Sequence, residues 1–298
     1  MKLIRNLIGL LMLLLIVVGC SNHSAPLAKG EMMFWQVSDD DSSVYLLGSM
    51  HFGRADFYPL PEVIEEAYQK SEVVGVELDM LNVDPSAMQA LIMPNMAYND
   101  GTTLKDHVSD ETMQLAELYF ANKGISLADL GGMKAGMITM TISQIEAQIA
   151  GLLPQYGIDM HFLTKAKEDG KEIMEFETME SQLELLFSGD EESAEGLLYK
   201  TLKEASEFET MLDSMATIWK AGDAAAMNSM LTAYETEEEK AYIENLFTGR
   251  DVEMTAKIQE LLAQNKAAFV ILGAGHFVND DGVINRLLKN KKYKIIKY

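Results

Sequence analysis

The chain has 298 residues, 48% hydrophobic and 23% charged, which excludes a largely disordered polymer and fits one or two folded domains. Its 46 Asp and Glu against 24 Lys and Arg give a formal charge of −22, which excludes sequence-independent binding to nucleic acid and argues against docking of the body on anionic lipid. The single cysteine, Cys20, excludes an internal disulfide framework and a thiolate metal cluster.

Met1 to Asn6 holds two cations, Lys2 and Arg5, and Leu7 to Val18 reads LIGLLMLLLIVV without a charge. An apolar run of this length rises roughly 18 Å as a helix, too short for a hydrocarbon core of about 30 Å. A charged start, a short apolar run and small residues beyond it predict a secretory signal over residues 1–19. Its ending, Val17-Val18-Gly19-Cys20-Ser21, resembles a bacterial lipoprotein signal. In such signals cleavage precedes the cysteine, and lipid, palmitate included, is attached there; Cys20 is the expected lipidation site. Residues 20–32 are small, polar and interrupted by Pro26, and predict a flexible tether. The expected address is the cell membrane or outer membrane, lipid-anchored on the extracytoplasmic face. Ser21 after the cysteine favours the outer membrane in a Gram-negative host.

Residues 33–298 predict an α/β domain with a central mixed sheet flanked by helices and large, mainly helical insertions at about 87–170 and 179–265. Phe34 to Val37 and Val44 to Gly48 are β-prone runs around a polar turn, and predict a hairpin. Pro61 and the acids Glu62, Glu65 and Glu66 open a helix that runs to about Lys70. Val73 to Leu78 (VVGVEL) is apolar enough for a buried parallel strand, which completes a crossover expected to be right-handed. Glu172 to Phe176 and Ala268 to Leu272 predict two more buried strands, and a helix near 282–290 precedes a closing strand at Tyr293 to Ile296. The stretches 108–150 and 179–265 are rich in Met, Ala and Glu and helical in period. Met propagates helices and fills irregular gaps, so these residues read first as packing and only second as a copper site.

One pattern recurs. Gly48-Ser49-Met50-His51-Phe52 and Gly273-Ala274-Gly275-His276-Phe277 are both GxxHF, and each ends an apolar strand before a loop and a helix. Sites in α/β sheets form beyond the carboxyl ends of strands, so His51 and His276 become candidate ligands. Of the other histidines, His23 lies in the tether, His107 reads as exposed and His161 as packing. Glu77 ends VVGVE, where a buried carboxylate is costly unless paired or bound to metal. If the three strands are neighbours, His51, Glu77 and His276 form a shell sufficient for Zn²⁺, Mn²⁺ or Co²⁺. Glu177 ends its own strand in the same way and is a candidate ligand, general base or orienting acid. Arg250, in LFTGRD, is a candidate oxyanion stabiliser or a surface ion-pair partner.

Together these residues resemble the TraB/GumN family, also called TraB/PrgY/GumN or TIKI-like. The matching segments are LLGSMHFGRADFYPLPEVIEEAYQKSEVVGVELD, YGIDMHFLTKAKEDGKEIMEFETMESQLELL, LFTGRD and AFVILGAGHFVNDDGVINRLLKNKKYKII. The resemblance implies an α/β core related to the erythromycin esterase and ChaN-like folds. It also implies a metal-dependent protease centre on His51, Glu77 and His276, with Glu177 and Arg250 as further catalytic positions. Two departures are visible. The family often has Asn after the arginine where this chain has Asp251, and a Trp of the central helical region is missing around Met133-Lys134.

The expected function is therefore a membrane-tethered extracytoplasmic hydrolase, peptidase-like, acting on a peptide or small carbonyl substrate with a divalent Mn, Co or Zn ion. The alternative is a non-catalytic lipoprotein that sequesters a peptide signal or a haem-like ligand through the same histidines. Neither the metal's identity nor the oligomeric state is legible.

Overall fold

A computed structural model describes residues 32–187, 189–234 and 236–298. The signal, Cys20, His23 and all of the tether but its last residue fall on residues 1–31 and lie outside the described residues. The contacts of the chain divide it into two units.

Among the described residues the sheet unit comprises 32–81, Gly151–Thr178 and Met211–Tyr298. Its six strands are β1 (Phe34–Ser38), β2 (Ser43–Ser49), β3 (Val73–Val76), β4 (Glu172–Glu175), β5 (Ala268–Gly273) and β6 (Lys294–Lys297). They lie in the order β4-β3-β5-β2-β1-β6. The expected hairpin is present, with Phe34 opposite Leu47 and Ser38 opposite Ser43. Asp39 closes its turn by accepting the backbone N–H and hydroxyl of Ser42. The run β4-β3-β5-β2 is parallel, while β1 is antiparallel to both β2 and β6, so the α/β sheet is mixed.

The apolar strands occupy the middle. Every residue of β5 and β3 is buried, as expected of parallel strands covered on both faces. The late strand β5 sits between β2 and β3, so the crossover from β2 to β3 leaves room for a strand that arrives almost two hundred residues later. Gly75 permits this close packing, because a Cβ there would come within 2.7 Å of the Phe176 ring and 3.0 Å of Val270. The helix Glu62–Lys70 buries Ile64, Ala67 and Tyr68 and carries its acids in the first turn. Helices Ile158–Glu168 and Glu237–Ala263 fall within stretches expected as insertions, yet both belong wholly to the sheet unit.

The helical unit comprises Asn82–Ala150 and Met179–Thr210 among its described parts. The side chains of Asp84, Ser109 and Asp190 accept backbone N–H groups at three helix starts. Its core packs Leu104, Phe120, Ile138, Ile142 and Leu198. Met88, Met137 and Met140 are buried among leucines, phenylalanine and further methionines, as gap-filling side chains are. Its buried carboxylate, Glu146, accepts from the Tyr119 hydroxyl at 2.6 Å and pairs with Lys123 at 2.8 Å.

Candidate functional site

The four parallel strands deliver the expected residues to one rim of the sheet unit. His51 stands two residues beyond β2 and Glu77 directly after β3. Glu177 lies two residues beyond β4, and His276 sits on the short helix Ala274–Val278 that continues β5. Long-range backbone bonds fix these loops. Ile158 N–H donates to Met50 O at 3.0 Å, which seats the start of helix Ile158–Glu168 beside His51. A Cβ at Gly157 would lie 2.2 Å from His51 O, so only glycine permits that approach. The Trp219 indole donates to Gly48 O at 2.7 Å and stacks on Phe57, holding the end of β2.

Glu77 is central. Its Oε1 accepts the Gly273 N–H at 2.6 Å, and its Oε2 meets Arg250 Nη2 at 3.2 Å. The same Oε1 lies 3.9 Å from His51 Nε2 and 3.8 Å from His276 Nε2. The other nitrogen of each ring faces a carboxylate. His51 Nδ1 is 2.9 Å from Asp159, whose second oxygen accepts from the Ser49 hydroxyl at 2.7 Å. His276 Nδ1 is 2.6 Å from Asp251, whose second oxygen accepts from the Asn279 amide at 2.8 Å. A carboxylate at Nδ1 holds the proton there and leaves the Nε2 lone pair for a ligand. His276 Nε2 is buried and has no hydrogen-bond partner.

Arg250 supplies the permanent cation. Its Nε and Nη2 donate to the two oxygens of Glu177 at 2.5 and 2.7 Å, and Nη1 donates to Leu246 O one turn back on its own helix. This fork geometry is the strong form of the arginine–carboxylate pair. Glu77 and Glu177 share one guanidinium while Asp159 and Asp251 face the imidazoles, so with neutral imidazoles the formal charge of the cluster is −3. The titrations follow. Burial alone would lower the pKa of His51, but Asp159 and then Glu77 override it and raise it to about 9. Burial works against ionisation of Glu77 too, yet His51, His276 and Arg250 hold its pKa below the ordinary value. Asp159 is likewise lowered against its burial, by His51 and Ser49.

Two protons on the Nε2 atoms or one divalent cation would offset the same charge. Among the described residues no three His, Asp or Glu side chains already stand at ligating distance. Two atoms about 2.1 Å from one Zn²⁺ in tetrahedral geometry are about 3.4 Å apart, so the spacings of 3.8 and 3.9 Å need to close by a few tenths of an ångström. Gly273 keeps the floor clear, since a Cβ there would stand 3.2 Å from Glu77 Oε1 and 3.6 Å from His51 Nε2. Two imidazoles and one carboxylate are donor types that divalent ions accept.

The remaining histidines lie elsewhere. His161 packs against Tyr58 and Phe162. His107, expected to be exposed, is half-buried in the helical unit, where it stacks on Tyr98 at 3.8 Å and meets Glu191 and Thr102. Asp159 and Asp251 were not among the candidate residues read from the sequence. Asp159 lies in the first turn of helix Ile158–Glu168, where the helix dipole already accounts for an acid. Asp251 carried a signal, because it stands on the apolar stripe Phe247–Asp251–Met254–Ile258 and is fully buried.

A family model, the TraB/PrgY/gumN family, matches residues 33–297. The chain belongs to this family. The uncharacterized protein YbaP of Escherichia coli (strain K12) is 26% identical over 198 residues, covering 66% of this chain and 71% of YbaP. YbaP of Shigella flexneri matches to the same extent. An uncharacterized protein of Treponema pallidum (strain Nichols) is 19% identical over 274 residues, covering 88% of this chain and 81% of its own. No solved structure matches.

Proposed function

We propose that this member of the TraB/PrgY/gumN family is a lipid-anchored, extracytoplasmic, metal-dependent hydrolase of peptide or small carbonyl substrates. The observation that carries the proposal is the pair of imidazole Nε2 atoms aimed at one oxygen of Glu77, each with its Nδ1 on a buried carboxylate. His51, Glu77 and His276 would hold a divalent Mn, Co or Zn ion, which when bound supplies Lewis acidity for attack on a carbonyl. Asp159 and Asp251 fix the tautomers and orient the rings. Arg250 bridges Glu77 and Glu177 and holds them side by side. Because its Nε and Nη2 are occupied by carboxylates and one hydrogen of Nη1 goes to Leu246 O, any donation to a developing oxyanion falls to the second hydrogen of Nη1. Glu177, next to the centre, is the group placed to exchange a proton once Arg250 shifts.

Membrane attachment would come from lipid on Cys20, and among the described residues no helix is long and apolar enough to cross a bilayer. Metal analysis of the mature protein, purified without chelator, tests the centre. Stoichiometric metal that disappears in a His51→Ala, His276→Ala double variant is the expected result, and wild-type protein empty at saturating Mn²⁺ or Zn²⁺ refutes it. Binding without turnover is favoured by one observation, the locking of Glu177 by two bonds from Arg250. A metal-loaded protein that binds peptides or a haem-like ligand yet cleaves no peptide or ester would select that alternative.

A further inference from the structure

The chain enters the sheet unit at the rim that carries the site. Met32 N–H donates to Tyr298 O, and Met33 O accepts from Gly48 N–H at 2.7 Å, three residues before His51. A Cβ on Gly48 would touch both Met33 Cβ and Ala274 Cα at 3.2 Å, and Ala274 opens the helix of His276. The hairpin register puts the turn at 39–42 and the start of β6 at the opposite rim, four strand residues or about 14 Å away. Eleven residues lie between Cys20 and Met32, and the twelve Cα-to-Cα steps span no more than about 43 Å.

With 46 acids against 24 cations, the body is repelled by an anionic lipid surface. At the far rim Lys294 opens β6 opposite Ser38 and Lys292 pairs with Asp39 of the turn, whereas Arg286 and Lys289 pair with Asp281, next to Gly282 and the His276 backbone on the site side. Lysine attraction to lipid fades within a Debye length of about 8 Å, whereas a covalent tether keeps its own attachment rim within reach of the bilayer at any ionic strength.

Building on the lipid-anchored hydrolase proposed above, we propose that the rim bearing His51, Glu77 and His276 is turned towards the bilayer. The substrate is then a peptide or ester attached to, or emerging from, the lipid surface. A freely diffusing substrate gains nothing from this placement, whereas one confined to the same membrane meets the site at raised effective concentration.

The test uses the full lipidated chain in phosphatidylcholine–phosphatidylglycerol vesicles with a head-group energy acceptor. Exposed Ala55, in the loop after His51, and exposed Asp40, in the far turn, are changed separately to cysteine and labelled with one donor dye. Stronger energy transfer from the Ala55→Cys protein is the expected result; equal transfer, or stronger transfer from Asp40→Cys, overturns the orientation. A second arm offers a fluorogenic peptide pool with and without a palmitoyl anchor in the same vesicles. Faster cleavage of the anchored pool supports the proposal, and equal rates overturn it. Protein that fails to float with vesicles, its Cys20 unmodified by mass, refutes the anchor and this proposal with it. Protein that floats but cleaves neither pool refutes the hydrolase.

Discussion

His51 and His276 occupy the same place in the same short motif, but their surroundings differ. The His51 side chain follows β2 in a loop and is 9% exposed, while that of His276 lies inside a helix and is 0% exposed. Each ring gives Nδ1 to an aspartate, but Asp159 comes from the first turn of a helix 108 residues later, whereas Asp251 sits 25 residues back in the interior of a long one. The aspartates are themselves held differently, by the Ser49 hydroxyl and the Asn279 amide. The difference teaches that the repeated motif encodes the imidazole alone. Its partner is recruited from whichever helix packs against that strand end, because a buried ring N–H must be satisfied and any carboxylate in reach can do it.

The middle of the cluster serves both halves, so the largest effect belongs there. Arg250→Met leaves Glu77 and Glu177 buried without their cation, and stability should fall by about 3–5 kcal/mol in urea unfolding. A loss under about 1 kcal/mol would mean that the carboxylates find water and that the halves do not depend on a common cation.

The halves part company when the rings are removed. His51→Ala and His276→Ala should each abolish retention of Mn²⁺ or Zn²⁺ in calorimetric titration. His276→Ala should also cost about 1–3 kcal/mol of stability, since Asp251 loses a donor with no access to solvent, whereas water can reach Asp159. Equal unfolding midpoints would show that burial is not what distinguishes them.

Weakening the orienting acids is gentler. Asp159→Asn and Asp251→Asn should each reduce metal affinity by about 10–100-fold while leaving the fold intact. The deeper Asp251 should show the larger loss, and the reverse order would contradict the contrast between the halves.

The smallest effect is a pH dependence of the metal-free protein, and it comes from the more exposed half. The raised pKa of His51, about 9 against 6.5, makes its protonated form part of the folded state. That contribution is complete below pH 6.5 and fades as pH rises towards 9. The lowered carboxylates act with the opposite sign. Asp159 and Glu77 contribute at neutral pH and lose that contribution in acid, below their ordinary values of 3.8 and 4.5. The apparent Tm should therefore be highest between roughly pH 5 and 6.5 and drop by a few degrees on either side. His51→Asn should flatten the alkaline fall; a fall that persists places the titrating group elsewhere.

Much of this arrangement was legible before any coordinates. Strand-end residues announce themselves because an apolar run fixes the strand, and the polar residue that follows must leave the sheet. His51, Glu77, Glu177 and His276 were found in that way. The aspartates escaped because helix positions conceal purpose. An acid in a first turn is already explained by the helix dipole, as at Asp159, and Asp251 was passed over as the neighbour of Arg250 although its place on an apolar stripe marked it. His107 was misjudged because a ring stacked on Tyr98 leaves no trace in the polar sequence around it.

The sequence by itself determined the α/β class, the strand ends and the types of side chain presented there, since these follow from local hydrophobic pattern and from where a strand must stop. Only the tertiary structure decided that β5 lies between β2 and β3, that both rings point at one oxygen of Glu77, and that Arg250 is engaged with carboxylates. Those outcomes depend on pairings between segments up to some two hundred residues apart. No local pattern records them, because their energy comes from burying charges together rather than from any one element.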